Sequence, residues 1–313
     1  MSDKKEFKRI LITGGAGFIG SNLIAELRHA GDYDIVVVDD ESLGRFSHIA
    51  EWSVECIKAD IRDHATMATA LRDVDTVVHL AADTRVLDSI ADPQKNFDVN
   101  VAGTFHLLRL SRDAGVQTFI NASTGGAILG EVPPPVHERM APHPISPYGA
   151  SKLAAEGYLS AFAGAYGMRT VSLRFSNIYG PNSYHKGSVV AHFFKQLQRG
   201  EEIVVYGDGS QVRDYLFVGD LAKGIHSSIR SGMSGVFQLG SGQPTSLNQL
   251  LQEIRMVVGT GIETKVRYEP FRKGEIHSTW CDITKAVSEI GFKPSTRLED
   301  GLRVTWNWFG DNQ

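Results

Sequence analysis

The sequence predicts an α/β protein built on a doubly wound parallel sheet, with a smaller C-terminal α/β domain for the substrate. Three observations predict it. Short apolar runs alternate with helix-period stretches through the first half, the first run opens through a glycine turn into a helix, and the rhythm loosens after Arg174. Strands alternating with helices require right-handed crossovers, which leave a parallel sheet covered on both faces.

Residues 10–13 are apolar and lead through Gly14-Gly15-Ala16-Gly17-Phe18-Ile19-Gly20 into a periodic stretch at 21–29, which reads as strand, turn and helix. Further strands are expected at 34–38, 54–59, 76–80, 118–121 and 169–174, with helices at 64–72, 103–114 and 148–166. Beyond Arg174, glycine-containing loops at 180–181, 207–209 and 240–244 separate helices at 189–198, 220–230 and 247–258. The expected domains are 1–175, which binds a dinucleotide, and 176–313, which binds the substrate, with part of 213–240 returning to the first.

The chain of 313 residues is 42% hydrophobic with a net charge of −4, an ordinary globular composition. It has no basic stripe that would neutralise a nucleic-acid backbone, so nucleic acid is excluded as a partner. Cys56 and Cys281 stand far apart, outside any Cys/His spacing, which argues against a disulfide framework and a metal site. The stretch before Ile10 is too charged for a signal peptide and no apolar run reaches membrane-spanning length, so a cytoplasmic protein is expected.

A glycine turn between strand and helix lets backbone approach a pyrophosphate, while the helix N-terminus supplies free N–H groups. Gly14, Gly17 and Gly20, with Phe18 and Ile19 between them, have that form. The pattern alone is also what any tight strand-to-helix turn recruits; its context is more specific. The next strand ends in Val38-Asp39-Asp40, about twenty residues on, where a carboxylate accepts from ribose hydroxyls. An acid there repels the 2′-phosphate of NADP, so NAD is the expected cofactor. Asp60-Ile61, after the third strand, is placed to read the adenine, and Ala81 closes the fourth strand beside the cofactor. His79 lies in an apolar run and reads as a core histidine.

Tyr148-Gly149-Ala150-Ser151-Lys152 puts a phenol and an ammonium one helical turn apart. Making a tyrosine a base at neutral pH requires roughly 4 kcal/mol. A positive charge about 4 Å away, at an effective dielectric near 20, is worth about the same. Lys152 and the charged ring of NAD are therefore expected to bring Tyr148 into a useful range. Upstream, the strand through Asn121-Ala122 runs into Ser123-Thr124-Gly125-Gly126, a hydroxyl pair at the carboxyl end of a strand, where ligands of such sheets sit.

Glycine turn, strand-end acid, Ser-Thr and Tyr-x-x-x-Lys, in that order, resemble the extended short-chain dehydrogenase/reductase superfamily, whose core is a Rossmann sheet. Within it the chain is most similar to the NAD-dependent sugar epimerase/dehydratase family, in particular the UDP-glucose (UDP-galactose) 4-epimerases. The resemblance extends through Asp98-Val99-Asn100-Val101-Ala102-Gly103-Thr104, Arg174-Phe175-Ser176-Asn177-Ile178-Tyr179-Gly180-Pro181 and Arg213-Asp214-Tyr215-Leu216-Phe217-Val218-Gly219-Asp220. It implies Thr124, Tyr148 and Lys152 as the catalytic group, with Ser123 and Asn177 on the substrate. Arg213 and Arg272 are implied for the pyrophosphate, where guanidinium forks suit phosphate oxygens, and Glu275 for the uridine ribose.

In this family, dehydratases and decarboxylases follow the Thr with acidic residues; here Gly125-Gly126 follow, which leaves 4-epimerisation of a UDP-sugar as the expected reaction. Thr279 stands where narrow-specificity members carry a bulky Tyr, so an N-acetylated sugar is expected to fit. Asp83 replaces the frequent Gln or Gly after Ala81-Ala82, and Leu129 a frequent Tyr, and both bear on the sugar pocket. A uronate 4-epimerase, a net nucleotide-sugar oxidoreductase and a non-catalytic NAD-binding protein stay open as alternatives. The resemblance also implies a homodimer packed through helices 103–114 and 148–166.

Overall fold

In the computed structural model, which describes residues 9–271 and 277–311, the alternating segments close into one seven-stranded parallel sheet. Arg272 and Glu275 lie outside the described residues. Strand β1 (Arg9–Thr13) feeds helix α1 (Phe18–Ala30), then β2 (Asp34–Asp39), β3 (Glu55–Lys58), α2 (His64–Ala70) and β4 (Thr76–His79). Two short helices, α3 (Val86–Ala91) and α4 (Pro93–Phe97), and a π-helical turn at Asp98–Gly103 precede α5 (Thr104–Asp113). Strand β5 (Thr118–Thr124), the short α6 (Gly125–Leu129), the long α7 (Pro147–Tyr166) and β6 (Arg169–Phe175) complete the first half.

The second half begins with β7 (Asn177–Tyr179), α8 (Val189–Gln198), β8 (Ile203–Tyr206), β9 (Val212–Arg213) and β10 (Tyr215–Phe217). It continues through α9 (Val218–Arg230), β11 (Gly235–Leu239), β12 (Thr245–Ser246), α10 (Leu247–Val258) and β13 (Val266–Glu269) to α11 (Thr284–Ile290) and α12 (Leu298–Asp311).

The order across the large sheet is β3-β2-β1-β4-β5-β6-β11, so the doubly wound arrangement gains its last strand from the second half. Strands buried on both faces read as continuous apolar runs, as in Asp34–Asp39, where every residue after the first is buried. On one face α1 and α9 pack with β11 into a core through Leu23, Leu27, Leu221, Ile225 and Phe237. On the other, α2, α5 and α7 bury Met67, Leu107, Leu159 and Phe162. A separate cluster joins α8, α10 and α12 through Phe194, Leu250, Ile254 and Phe309, and it forms the C-terminal lobe. Pairs β7–β10, β9–β12 and β8–β13 link that lobe's loops.

Helix α7 carries the site, and its ends are set locally. Ser146 caps the N-terminus by accepting from the Gly149 N–H at 3.2 Å, Pro147 opens the first turn, and Gly167 closes it at φ 68°. Between β5, β6 and α7 lies a buried ion pair: Arg174 donates to both oxygens of Glu156 at 2.9 and 2.7 Å, and Ser123 Oγ adds a bond at 2.6 Å. Removing one member of such a pair strands a buried charge. Glu156→Gln should cost about 3–5 kcal/mol in urea denaturation, whereas Glu156→Met combined with Arg174→Met should lose less than either single change. A double variant at least as unstable as both singles summed would contradict this account.

Candidate active site

The strand order reverses between β1 and β4, which opens a crevice at their carboxyl ends. There the Gly14 turn meets the β4 end so closely that a Cβ on Gly14, itself at φ 68°, would lie 2.7 Å from the Ala81 nitrogen. Gly20 seats α1 directly on the backbone of Gly14 and Gly15, with no room for a side chain. Gly17 is the N-cap of α1 and no side chain caps that helix. The N–H groups of its first turn, at Phe18 and Ile19, have no intrahelical partner and suit an anion.

Asp39 is buried, and its carboxylate accepts from the Ala16 N–H at 3.0 Å and the Glu41 N–H at 2.8 Å. A carboxylate offers about four acceptor positions, so each oxygen retains one for a ribose hydroxyl. Burial pushes this carboxyl up, and the two N–H donors oppose that. Arg45, in the following loop, is committed to the carbonyls of Glu41 and Gly44. Gly cradle, free helix N–H groups and half-used carboxylate together fit NAD.

Asp60, two residues past β3, pairs with Arg62 at 2.6 Å. Ile61 is buried against Gly103, where a Cβ would lie 2.8 Å from the Ile61 Cδ1. His79 is wholly structural: Nδ1 meets Thr13 Oγ1 at 2.7 Å and Nε2 meets Thr104 Oγ1 at 2.9 Å. Burial, with Lys152 adding to it, pushes the imidazole down to about 3 and keeps it neutral.

At the end of β5 neighbouring side chains point to opposite faces. Ser123 turns inward and its Oγ donates to Glu156 at 2.6 Å. Thr124, the N-cap of α6, stays partly exposed. Gly149 lets α7 press its first turn on the Ala127 carbonyl, and the Tyr148 N–H donates to Ser89 Oγ at 3.2 Å. These contacts fix the first turn of α7, which carries Tyr148. Lys152, buried one turn further, donates to the Ala122 carbonyl at 3.1 Å.

The electrostatics differ from the expectation that Lys152 draws the phenol down. Burial first, and the Asp83 carboxylate second, push Tyr148 up to about 12. Burial alone pushes Lys152 down to about 8. In the protein without ligand, desolvation therefore outweighs charge pairing.

Asn177 is exposed at the start of β7, its N–H bonded to the Asp214 carbonyl at 2.9 Å. Arg213 folds onto the carbonyls of Val212 and His277 at 2.8 and 3.1 Å. Thr279 is held by its N–H on the Val212 carbonyl, and a Cβ on Gly126 would lie 3.9 Å from its Oγ1. Thr279 thus faces the loop after Thr124. Sequence reasoning assigned nothing to Asn100, although it sits in a recognised motif. The π-helical turn aims its side chain to hold Asp83, through the main chain, and Ser151 Oγ at 3.1 Å.

Residues 10–240 match the NAD dependent epimerase/dehydratase family. The chain is 36% identical to a UDP-glucose 4-epimerase of Mycolicibacterium smegmatis, over 96% of this chain and 98% of that one. Among solved structures it resembles the UDP-glucose 4-epimerase of Thermotoga maritima with UDP-glucose, at TM-score 0.91 and 38% identity, covering 97% of this chain and 99% of that one. It also resembles a UDP-N-acetylglucosamine 4-epimerase of Methanobrevibacter ruminantium in complex with UDP-N-acetylmuramic acid, at TM-score 0.92 and 32% identity, covering 98% and 100%.

The displaced lysine carries a stability prediction. Its ordinary value is 10.5 and its folded value about 8, so between those limits the unfolded chain holds the extra proton and stability rises with pH. In nucleotide-free protein, Lys152→Met should flatten that rise when denaturation midpoints are measured from pH 7 to 10. Parallel curves for the two proteins would contradict the buried ammonium.

Proposed function

The chain belongs to the NAD dependent epimerase/dehydratase family, and from that membership we propose that it is a 4-epimerase of a UDP-hexose with NAD as cofactor. Its substrates are UDP-glucose and UDP-galactose or their N-acetylated counterparts. The observation that carries this reading is the end of β5. Thr124 is followed by Gly125-Gly126-Ala127-Ile128-Leu129, a short helix without an acid or a base, beside Tyr148 and Lys152. Elimination of water or loss of a carboxylate needs further proton-transfer groups there, and epimerisation does not.

In this mechanism Tyr148 removes the proton of the C4 hydroxyl. Thr124 holds that oxygen and relays the proton, and Lys152 stabilises the phenolate. NAD bound in the crevice would supply reversible hydride acceptance at C4, and the residues of this chain handle the hydroxyl proton around it. Tyr148 then restores the hydroxyl proton. The cofactor is assigned to Gly14, Gly17, Phe18, Ile19, Gly20, Asp39, Asp60, Ile61, Ala81 and Lys152. Asn177, Arg213, Arg272 and Glu275 are assigned to the nucleotide diphosphate. The short side chain of Thr279 opposite Gly126 supports room for an N-acetyl group.

We further place the enzyme in the cytoplasm as a homodimer. The free thiols Cys56 and Cys281 fit a reducing compartment. No helix among the described residues is long and apolar enough to cross a membrane. The rings of Tyr158 and Tyr166 are exposed beside Phe105 and Phe162, along the faces of α5 and α7 that would pair.

Tyr148→Phe tests the reaction. With UDP-glucose, UDP-N-acetylglucosamine and UDP-glucuronate resolved by chromatography, wild-type protein should invert the first two. The variant should retain NAD binding and lose at least about 100-fold in rate. Unchanged turnover in the variant would reject the assignment of the base.

A further inference from the structure

Asp83 follows β4 at the carboxyl edge of the sheet. In the neighbouring strand β5, Asn121 pairs with His79 and the strand runs three residues further to Thr124. The loop that carries Asp83 is fixed on both sides. Asn100 Oδ1 accepts the Asp83 N–H at 2.8 Å, Asn100 Nδ2 donates to the Asp83 carbonyl at 2.8 Å, and the same Nδ2 bonds Ser151 of α7. The Asp83 side chain is itself oriented: Asn96 Nδ2 donates to Oδ2 at 3.1 Å. Oδ1 has no partner among the described residues, and Asp83 is only partly buried.

No lysine or arginine among the described residues pairs with this carboxylate, and Asn100 links the Asp83 carbonyl to Ser151, whose Oγ donates to the Tyr148 carbonyl, so the unpaired charge stands near the first turn of α7. That charge works against the chemistry, since it is one of the two causes that push the phenol up. A group that hinders the base and is nevertheless buttressed by two buried asparagines has a use elsewhere in the pocket.

We propose that Asp83 is a specificity determinant of the sugar pocket, whose free carboxylate oxygen accepts a hydrogen bond from a hydroxyl of a neutral pyranose and repels sugars carrying a carboxylate. The inference rests on the epimerase reading and deepens it by excluding uronates from the substrate class. Charge-assisted acceptance of a hydroxyl is among the stronger hydrogen bonds. A like charge brought against it is disfavoured by much more than a missing contact.

The test compares wild type with Asp83→Asn, which keeps the shape and an acceptor oxygen while removing the charge. Initial rates are measured for UDP-glucose and UDP-glucuronate, and the affinities of both nucleotides for NAD-loaded protein by calorimetry. Wild type should prefer UDP-glucose by at least about 100-fold in kcat/KM. Asp83→Asn should narrow that preference by about tenfold or more, through weaker use of UDP-glucose and better acceptance of UDP-glucuronate. A preference that is the same in both proteins, or a wild type that handles the two sugars equally, overturns the proposal. If wild type epimerises neither sugar, the reading of the reaction falls, and the ratio of the two affinities still decides the role of Asp83: narrowed in Asp83→Asn it supports the proposal, unchanged it overturns it.

Discussion

Helix α7 is fastened to the end of β5 by two buried polar contacts one turn apart, and the geometry of the site depends on them. Lys152 donates to the Ala122 carbonyl, and Glu156 receives Ser123 together with Arg174 from β6. Both contacts sit where water is excluded, so neither partner can leave without exposing a charge or an unpaired polar group. With α7 fixed in rotation and height, Tyr148 stands one turn before Lys152 on the same helix. Alternation along β5 then sends Thr124 to the side opposite the Ser123 anchor.

The same burial that makes the anchor firm opposes the chemistry. A phenol near 12 lies about 5 units above neutrality, or roughly 7 kcal/mol. A single charge about 4 Å away at an effective dielectric near 20 contributes about 4 kcal/mol. Under the proposed reaction, the positive charge of a bound nicotinamide ring would act in the same direction as Lys152 against that burial. The Gly14 turn packs directly on the backbone of Ala81 at the end of β4.

Much of this was legible in the sequence because it is local. The amphipathic helices at Val189–Gln198 and Leu247–Val258 show their period within a single window, and the glycine turn announces itself by composition. The return of α9 and β11 to the first sheet left a weaker trace, since Gly235–Leu239 reads as one more apolar run. The inward orientation of Ser123 was not legible, because it depends on pairing that persists to Thr124, three residues past the expected end of the strand. Helix α12 packs on partners far away in the chain, with Gly301 and Gly310 interrupting its pattern. The π-helical turn that aims Asn100 has no local signature. Asp83 stood out only as an unusual residue, and its buttressing by Asn96 and Asn100 exists only in three dimensions.

The central claim is that the sugar carbon is inverted by removing and returning its own hydrogen while Tyr148 handles only the hydroxyl proton. Following the epimerisation of UDP-glucose in deuterium oxide by nuclear magnetic resonance tests this directly. The account predicts that UDP-galactose forms with its original hydrogen still on C4 and no deuterium incorporated there. Deuterium at C4 of the product would contradict it, because that carbon would then have exchanged a proton with solvent.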